Sequence, residues 1–195
     1  MDKYEFNIKV EQIKKMVSRG DYETAMKIAD TIDWHRVRNA SLLSMIAEIY
    51  EKNKEYQEAK DILLLAFERA PIGKRLLYKL TDLALKEGNV AEAEAYYREF
   101  CDLAQDDSRQ YLLRYLILKA KKAPLDQLIR ALETYTAVEV DEKWLYELAE
   151  LYHKGGMGDQ CVRTCDKIML LFGLGKYVEK AMDLKLEYEP LNKYQ

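Results

Sequence analysis

Apolar residues along most of this chain recur three and four positions apart, the spacing that lays a single stripe along an α-helix. The clearest stretch runs from about residue 39 to 53, with Leu43, Ile46, Ala47 and Tyr50 in register. A turn at Lys54-Glu55 leads to a second helix with Tyr56, Ala59, Leu63 and Ala66 on one face, and Pro71 closes it. Two such stripes joined by a short polar turn predict an antiparallel helical hairpin. Small residues such as Ala47 and Ala59 let its two backbones approach closely. A proline suits the exit because it cannot continue a helix interior.

The pattern repeats. Ala25, Ala59 and Ala93 fall 34 residues apart, preceded by Gly20-Asp21-Tyr22, Lys54-Glu55-Tyr56 and Gly88-Asn89-Val90. A third hairpin carries Leu77, Leu80, Ala84, Gly88, Ala93, Tyr97 and Phe100, and a fifth carries Leu145, Leu148, Ala149, Tyr152, Gly156, Cys161 and Ile168. Two units depart from the register. In the first, Lys9 and Gln12 stand where large apolar residues are expected, yet Phe6, Val10, Ile13 and Val17 still make a stripe, so it reads as an atypical end repeat. In the fourth, Leu112, Tyr115 and Leu116 precede Ala123-Pro124, and Leu128 replaces the alanine. Pro124 is expected just inside a helix start, where its missing N–H costs nothing. The interval is 35 residues from Ala93 to Leu128 and 33 from there to Cys161, so the register recovers.

These residues resemble the tetratricopeptide repeat pattern of large apolar, leucine, small and tyrosine positions on a first helix, then alanine, a second small residue and a closing proline. The resemblance covers roughly residues 6 to 172. It implies an all-α, right-handed α-α superhelical solenoid of helical hairpins. The expected repeats are 6–38, 39–72, 73–107, 108–140 and 141–173. A further helix over about 176–188, with Val178, Ala181, Met182 and Leu186 on one face, is expected to cover the open end of the array. With 189–195 as a short tail and no low-complexity linker, residues 1–188 read as one domain.

Charge narrows the field of ligands. Thirty-one basic and 34 acidic residues are mixed along the chain, with no basic block or stripe, so nucleic-acid binding has no electrostatic footprint. The longest apolar runs, 62–67 and 168–172, are too short to span a bilayer. The N-terminal Met1-Asp2-Lys3-Tyr4-Glu5-Phe6 lacks the apolar core of a signal peptide, and three cysteines suit a reducing compartment, so a cytoplasmic location is expected. Fifteen tyrosines against four phenylalanines point to half-buried seams where a ring is covered while its hydroxyl finds a partner.

Candidate chemistry is thin. Cys161 and Cys165 lie one turn apart with His153 on the preceding helix, but both thiols occupy small-residue positions facing the partner helix and read as packing. Lys154-Gly155-Gly156-Met157-Gly158-Asp159 and Gly173-Leu174-Gly175-Lys176 lack the spacing of a phosphate-binding loop and read as turns. Carboxylates such as Glu48, Asp82 and Glu150 form no set with acid–base spacing. No enzyme activity, metal or cofactor is expected.

In tetratricopeptide arrays the first helices line a concave surface. Carried over position by position, the resemblance implies one ligand-facing column of Val10, Ser44, Tyr78, Leu113 and Tyr146. The next turn contributes Lys14, Glu48, Asp82, Ile117 and Glu150. The contacts expected from it are Tyr78, Asp82, Leu113, Ile117, Tyr146 and Glu150, with Arg75 and Lys79 at one edge; because 111–118 is almost wholly apolar, Leu113 and Ile117 read equally as core of an irregular repeat. The chaperone-binding members use a two-carboxylate clamp whose places here hold Val10, Lys14, Met45, Arg75 and Lys79. Without the asparagine amides that specialisation is not expected. The sequence therefore describes a non-enzymatic scaffold for a protein or peptide with apolar and some basic side chains. The alternative is a self-associating assembly module that uses repeat surfaces and the tail from Tyr188 to Gln195.

Overall fold

The computed structural model describes residues 1–69 and 73–194; Pro71 lies outside the described residues. The chain forms two compact units, Met1–Gln105 and Asp106–Gln195. The first holds α1 (Lys3–Ser18), α2 (Tyr22–Ala29), α3 (Ala40–Lys52), α4 (Tyr56–Arg69), α5 (Lys74–Glu87) and α6 (Val90–Leu103). The second holds α7 (Arg109–Ala120), α8 (Leu125–Val138), α9 (Glu142–Lys154), α10 (Gly158–Phe172) and α11 (Lys176–Leu186). Among the described residues no strand occurs. Within each unit, consecutive helices pack in pairs: α1 with α2, α3 with α4, α5 with α6, α7 with α8, and α9 with α10.

Local chemistry sets the ends of these helices. The carboxylate or amide oxygen of Asp2, Asp21, Asn39 and Asn89 accepts the N–H three residues ahead at 2.7–3.2 Å, satisfying donors that a helix start leaves free. Asp141 does the same for Lys143 and Trp144 at the start of α9. The turns inside the hairpins share one left-handed residue, at Gly20, Lys54, Gly88, Lys122 and Gly156, with φ between 55° and 85°. Their spacing is 34 residues throughout, including the unit where the alanine marker slips. The slip belongs to the helix that follows. Pro124 occupies the N-cap of α8 rather than its first turn, so α8 starts one residue late relative to its turn and Leu128 takes the alanine place.

Each unit has its own core. In the first, Ile13, Ala25, Leu43, Ile46, Ala59 and Leu63 are fully or almost fully buried. In the second, Leu132, Leu145, Ala149, Cys161, Cys165 and Ile168 form the centre. There α11 lays Val178, Ala181 and Leu184 against α9 and α10. Tyr188 and Leu191 continue that cover: a Cβ built on Gly158 would lie 2.9 Å from the Tyr188 ring, and Leu191 packs on the same core.

Polar bonds tie hairpin to hairpin. The Tyr50 hydroxyl donates to Asp30 at 2.7 Å and the equivalent Tyr152 hydroxyl donates to Glu133 at 2.5 Å, each reaching back to the preceding hairpin. Burial and the adjacent carboxylate both raise the pKa of these two phenols, so they stay neutral donors. Lys60 on α4, 1% exposed, bonds Glu92 at 2.6 Å and also Glu87, so a buried ammonium links the second hairpin to the third. Burial alone would lower its pKa; the two carboxylates outweigh that and raise it.

Candidate functional site

A cleft of about 990 Å³ lies in the first unit between α1, α3 and the segment joining α2 to α3. Val10, Phe6, Leu42 and Met45 supply its apolar surface, and Lys3, Lys14, Arg36 and Arg38 its cations. The segment beneath it is pinned by Trp34, buried in a short 3-10 turn over Trp34–Arg36, whose indole N–H donates to the Ala29 carbonyl at 3.0 Å. Phe6 meets the Trp34 ring edge-on at 6.3 Å, which seats α1 on this segment.

The charges of the cleft are unevenly spent. Asp2 caps α1, Glu11 pairs with Lys14 at 2.9 Å, and Asp33 faces both Arg36 at 3.5 Å and His35 at 3.2 Å. Lys3 and Arg38 are exposed and have no partner among the described residues. The three carboxylates are thus engaged while two cations remain open.

The four expected residues of α5 separate into two roles. Arg75 is exposed on the first turn, and Tyr78 is half-buried with its ring edge against Phe100 at 6.2 Å. Lys79 pairs with Glu51 of α3 at 2.5 Å, and Asp82 pairs with Lys86 at 3.0 Å. Lys86 closes the set by binding Glu51 at 2.6 Å. The result is a two-acid, two-base network bracing α5 on α3. Arg75 and Lys79 do not form a joint carboxylate site, and at the clamp position in α1 Lys14 is held by Glu11.

In the second unit, Tyr146 and Glu150 come together. The Tyr146 phenol is raised to about 12, first by burial and then by the charge and hydrogen bond of Glu150. Its ring lies 5.9 Å from Tyr177 of α11, and Lys180 sits over both rings at 5.3 and 5.6 Å. Of the carboxylates expected to face a basic partner, Asp82 is paired with Lys86, while Glu150 meets a neutral phenol and keeps its charge.

Of the two readings open for Leu113 and Ile117, their burial fits the core one. They are 0% and 5% exposed, which makes them packing residues with no face to offer a ligand. The cause is visible in α7, where Tyr111 to Leu118 is apolar on nearly every side, so that periodicity does not mark one outward stripe.

The two paired cysteines are core residues. Burial is the leading cause of a raised pKa at both, and Cys165 is pushed up to about 12. His153 instead turns toward the C-terminal segment, where its Nδ1 bonds the Tyr188 hydroxyl and its Nε2 lies 3.2 Å from Glu187. Among the described residues no group of three or more His, Cys, Asp and Glu side chains is arranged to hold a metal ion. No described helix is long and apolar enough to cross a membrane.

With this geometry in place, comparison with solved structures assigns the fold. A tetratricopeptide repeat protein from Parabacteroides merdae superposes with a TM-score of 0.73 at 15% identity, over 95% of this chain and 73% of that one. A MamA fragment from Desulfovibrio magneticus gives 0.60 at 16% identity, over 94% and 96% of the two chains. YrrB, a tetratricopeptide repeat protein described as having an unusual peptide-binding site, gives 0.54 at 17% identity over 90% of each. The fold of this chain is that of the tetratricopeptide repeat proteins. No family model matches it, and no curated protein matches it in sequence.

Proposed function

We propose that this protein is a non-enzymatic scaffold that holds a peptide segment of a protein partner against the exposed faces of its first helices. The α1–α3 cleft carries the proposal, because it joins an apolar floor to two cations that have no partner among the described residues. Tyr78 and Arg75 extend the same column onto α5, and Tyr146 and Glu150 hold the corresponding positions on α9. Apolar anchors inside a polar margin are where binding energy concentrates. The segment that suits the cleft carries apolar side chains with acidic neighbours; a basic side chain, as expected from the sequence, suits the positions beside Glu150. That YrrB, which shares this fold, is described as having a peptide-binding site agrees with the proposal.

A photo-crosslinking amino acid in place of Ser41, which lines the cleft, should capture peptides selected from a random library. The same group in place of Gln57, exposed on α4, should not. Equal capture at both places would remove the cleft from the account.

A further inference from the structure

The second unit gathers five exposed apolar side chains at the N-terminal end of α9. Val138 ends α8 and Val140 lies in the three-residue link to α9, while Leu170 and Leu171 end α10 and Leu174 stands in the turn to α11. Leu170 and Leu174 are 85% and 90% exposed, and the other three are at least half exposed. These elements meet in space: α10 runs antiparallel to α9, and a Cβ built on Gly175 would lie 3.8 Å from Glu142 Oε2 in the first turn of α9. Gly173, at φ 68°, makes the bend that precedes Leu174, a conformation other residues adopt only with strain. Two valines and three leucines therefore share one end of the unit. Contiguous exposure of this kind marks an interaction surface.

The charges around the patch are divided. On the α8–α9 side, Glu139 accepts from Ser108 and Asp141 caps α9, while Glu142 has no side-chain partner among the described residues. On the α10 side, Lys167 lies three and four residues before Leu170 and Leu171, on the same exposed face, and it too has no partner among them. An unpaired acid on one flank and an unpaired base on the other is the arrangement a two-fold contact satisfies, since the acid of each copy then meets the base of the other.

We infer that this end of the second unit binds the same surface of a second copy of the chain, with the valines and leucines as its apolar centre and Glu142–Lys167 pairs at its margin. A stable contact needs roughly 800 Å² on each side, and five exposed apolar side chains with their charged rim supply its core. The surface is separate from the peptide-binding cleft, so either can fail without the other.

Sedimentation velocity of the full chain over a range of concentrations tests the inference. Twice the monomer mass should appear as concentration rises. Combined L170D and L174D, at side chains already in water, should raise the dissociation constant by at least about tenfold while helical circular dichroism stays unchanged. K167E alone should weaken the dimer, and K167E with E142K should restore it. A monomer at every concentration, a dimer indifferent to the aspartates, or a failure of the double exchange to restore it would each overturn the inference. So would a monomer that binds phosphatidylserine vesicles through these leucines.

Discussion

Lys54 and Lys122 hold the same left-handed backbone position, φ 64° and 55°, in turns where the first, third and fifth hairpins place glycine. A side chain with a Cβ is disfavoured there by about 1–2 kcal/mol, and part of that is returned because glycine loses more chain entropy on folding. Lys54→Gly and Lys122→Gly should each stabilise the protein by about 0.5–1 kcal/mol in chemical denaturation. Gly88→Ala, at φ 85° with open space around its Cα, should destabilise by about 1 kcal/mol through backbone strain alone.

Glu51 gives the stability of the first unit a pH dependence. Burial pushes its pKa up, but the hydrogen bonds and charges of Lys79 and Lys86 outweigh this and hold it below the ordinary value of 4.5. A carboxyl with a depressed folded-state pKa contributes stability that is present above the unfolded value and lost as pH falls through the folded one. The gap in unfolding free energy between wild type and Glu51→Gln should therefore be constant from about pH 7 to 5.5 and shrink below about pH 4.5. A gap that widens on acidification would show that the network does not act as drawn.

The thiols should divide by burial. Cys161 and Cys165 are buried with raised pKa values, whereas Cys101 is partly exposed. A small alkylating reagent should modify only Cys101 of the native protein and all three cysteines after unfolding, as read by intact mass. Fast native labelling of Cys161 or Cys165 would mean that α10 opens readily from α9.

Much of this fold is legible in the apolar stripes, because each hairpin buries one face of each helix and Ala25, Ala59 and Ala93 mark where backbones touch. What escaped has physical causes. Lys60 and Lys185 read as surface lysines, yet both are buried, because Glu87 and Glu92 receive the first and Asp166 and Glu189 the second. For Lys60 the partner Glu92 stands 32 residues ahead, nearly one repeat, whereas Asp166 stands 19 residues before Lys185 and outside that period. Leu113 and Ile117 were indistinguishable from groove residues because α7 is apolar around its circumference. The N-terminal cleft was overlooked because it depends on the 3-10 turn at Trp34, a local structure with no periodicity, although Val10 and Lys14 already stood in the expected columns.

Binding of library-selected peptides to the cleft tests the central claim most directly. Fluorescence anisotropy should show acidic, apolar peptides binding wild type, with K3E combined with R38E weakening them at least about tenfold, or about 1.4 kcal/mol. Lys3 and Arg38 are exposed and have no partner among the described residues, so helicity and thermal stability should not change. Equal affinity for wild type and the double variant, or selection of no peptides at all, would contradict the account.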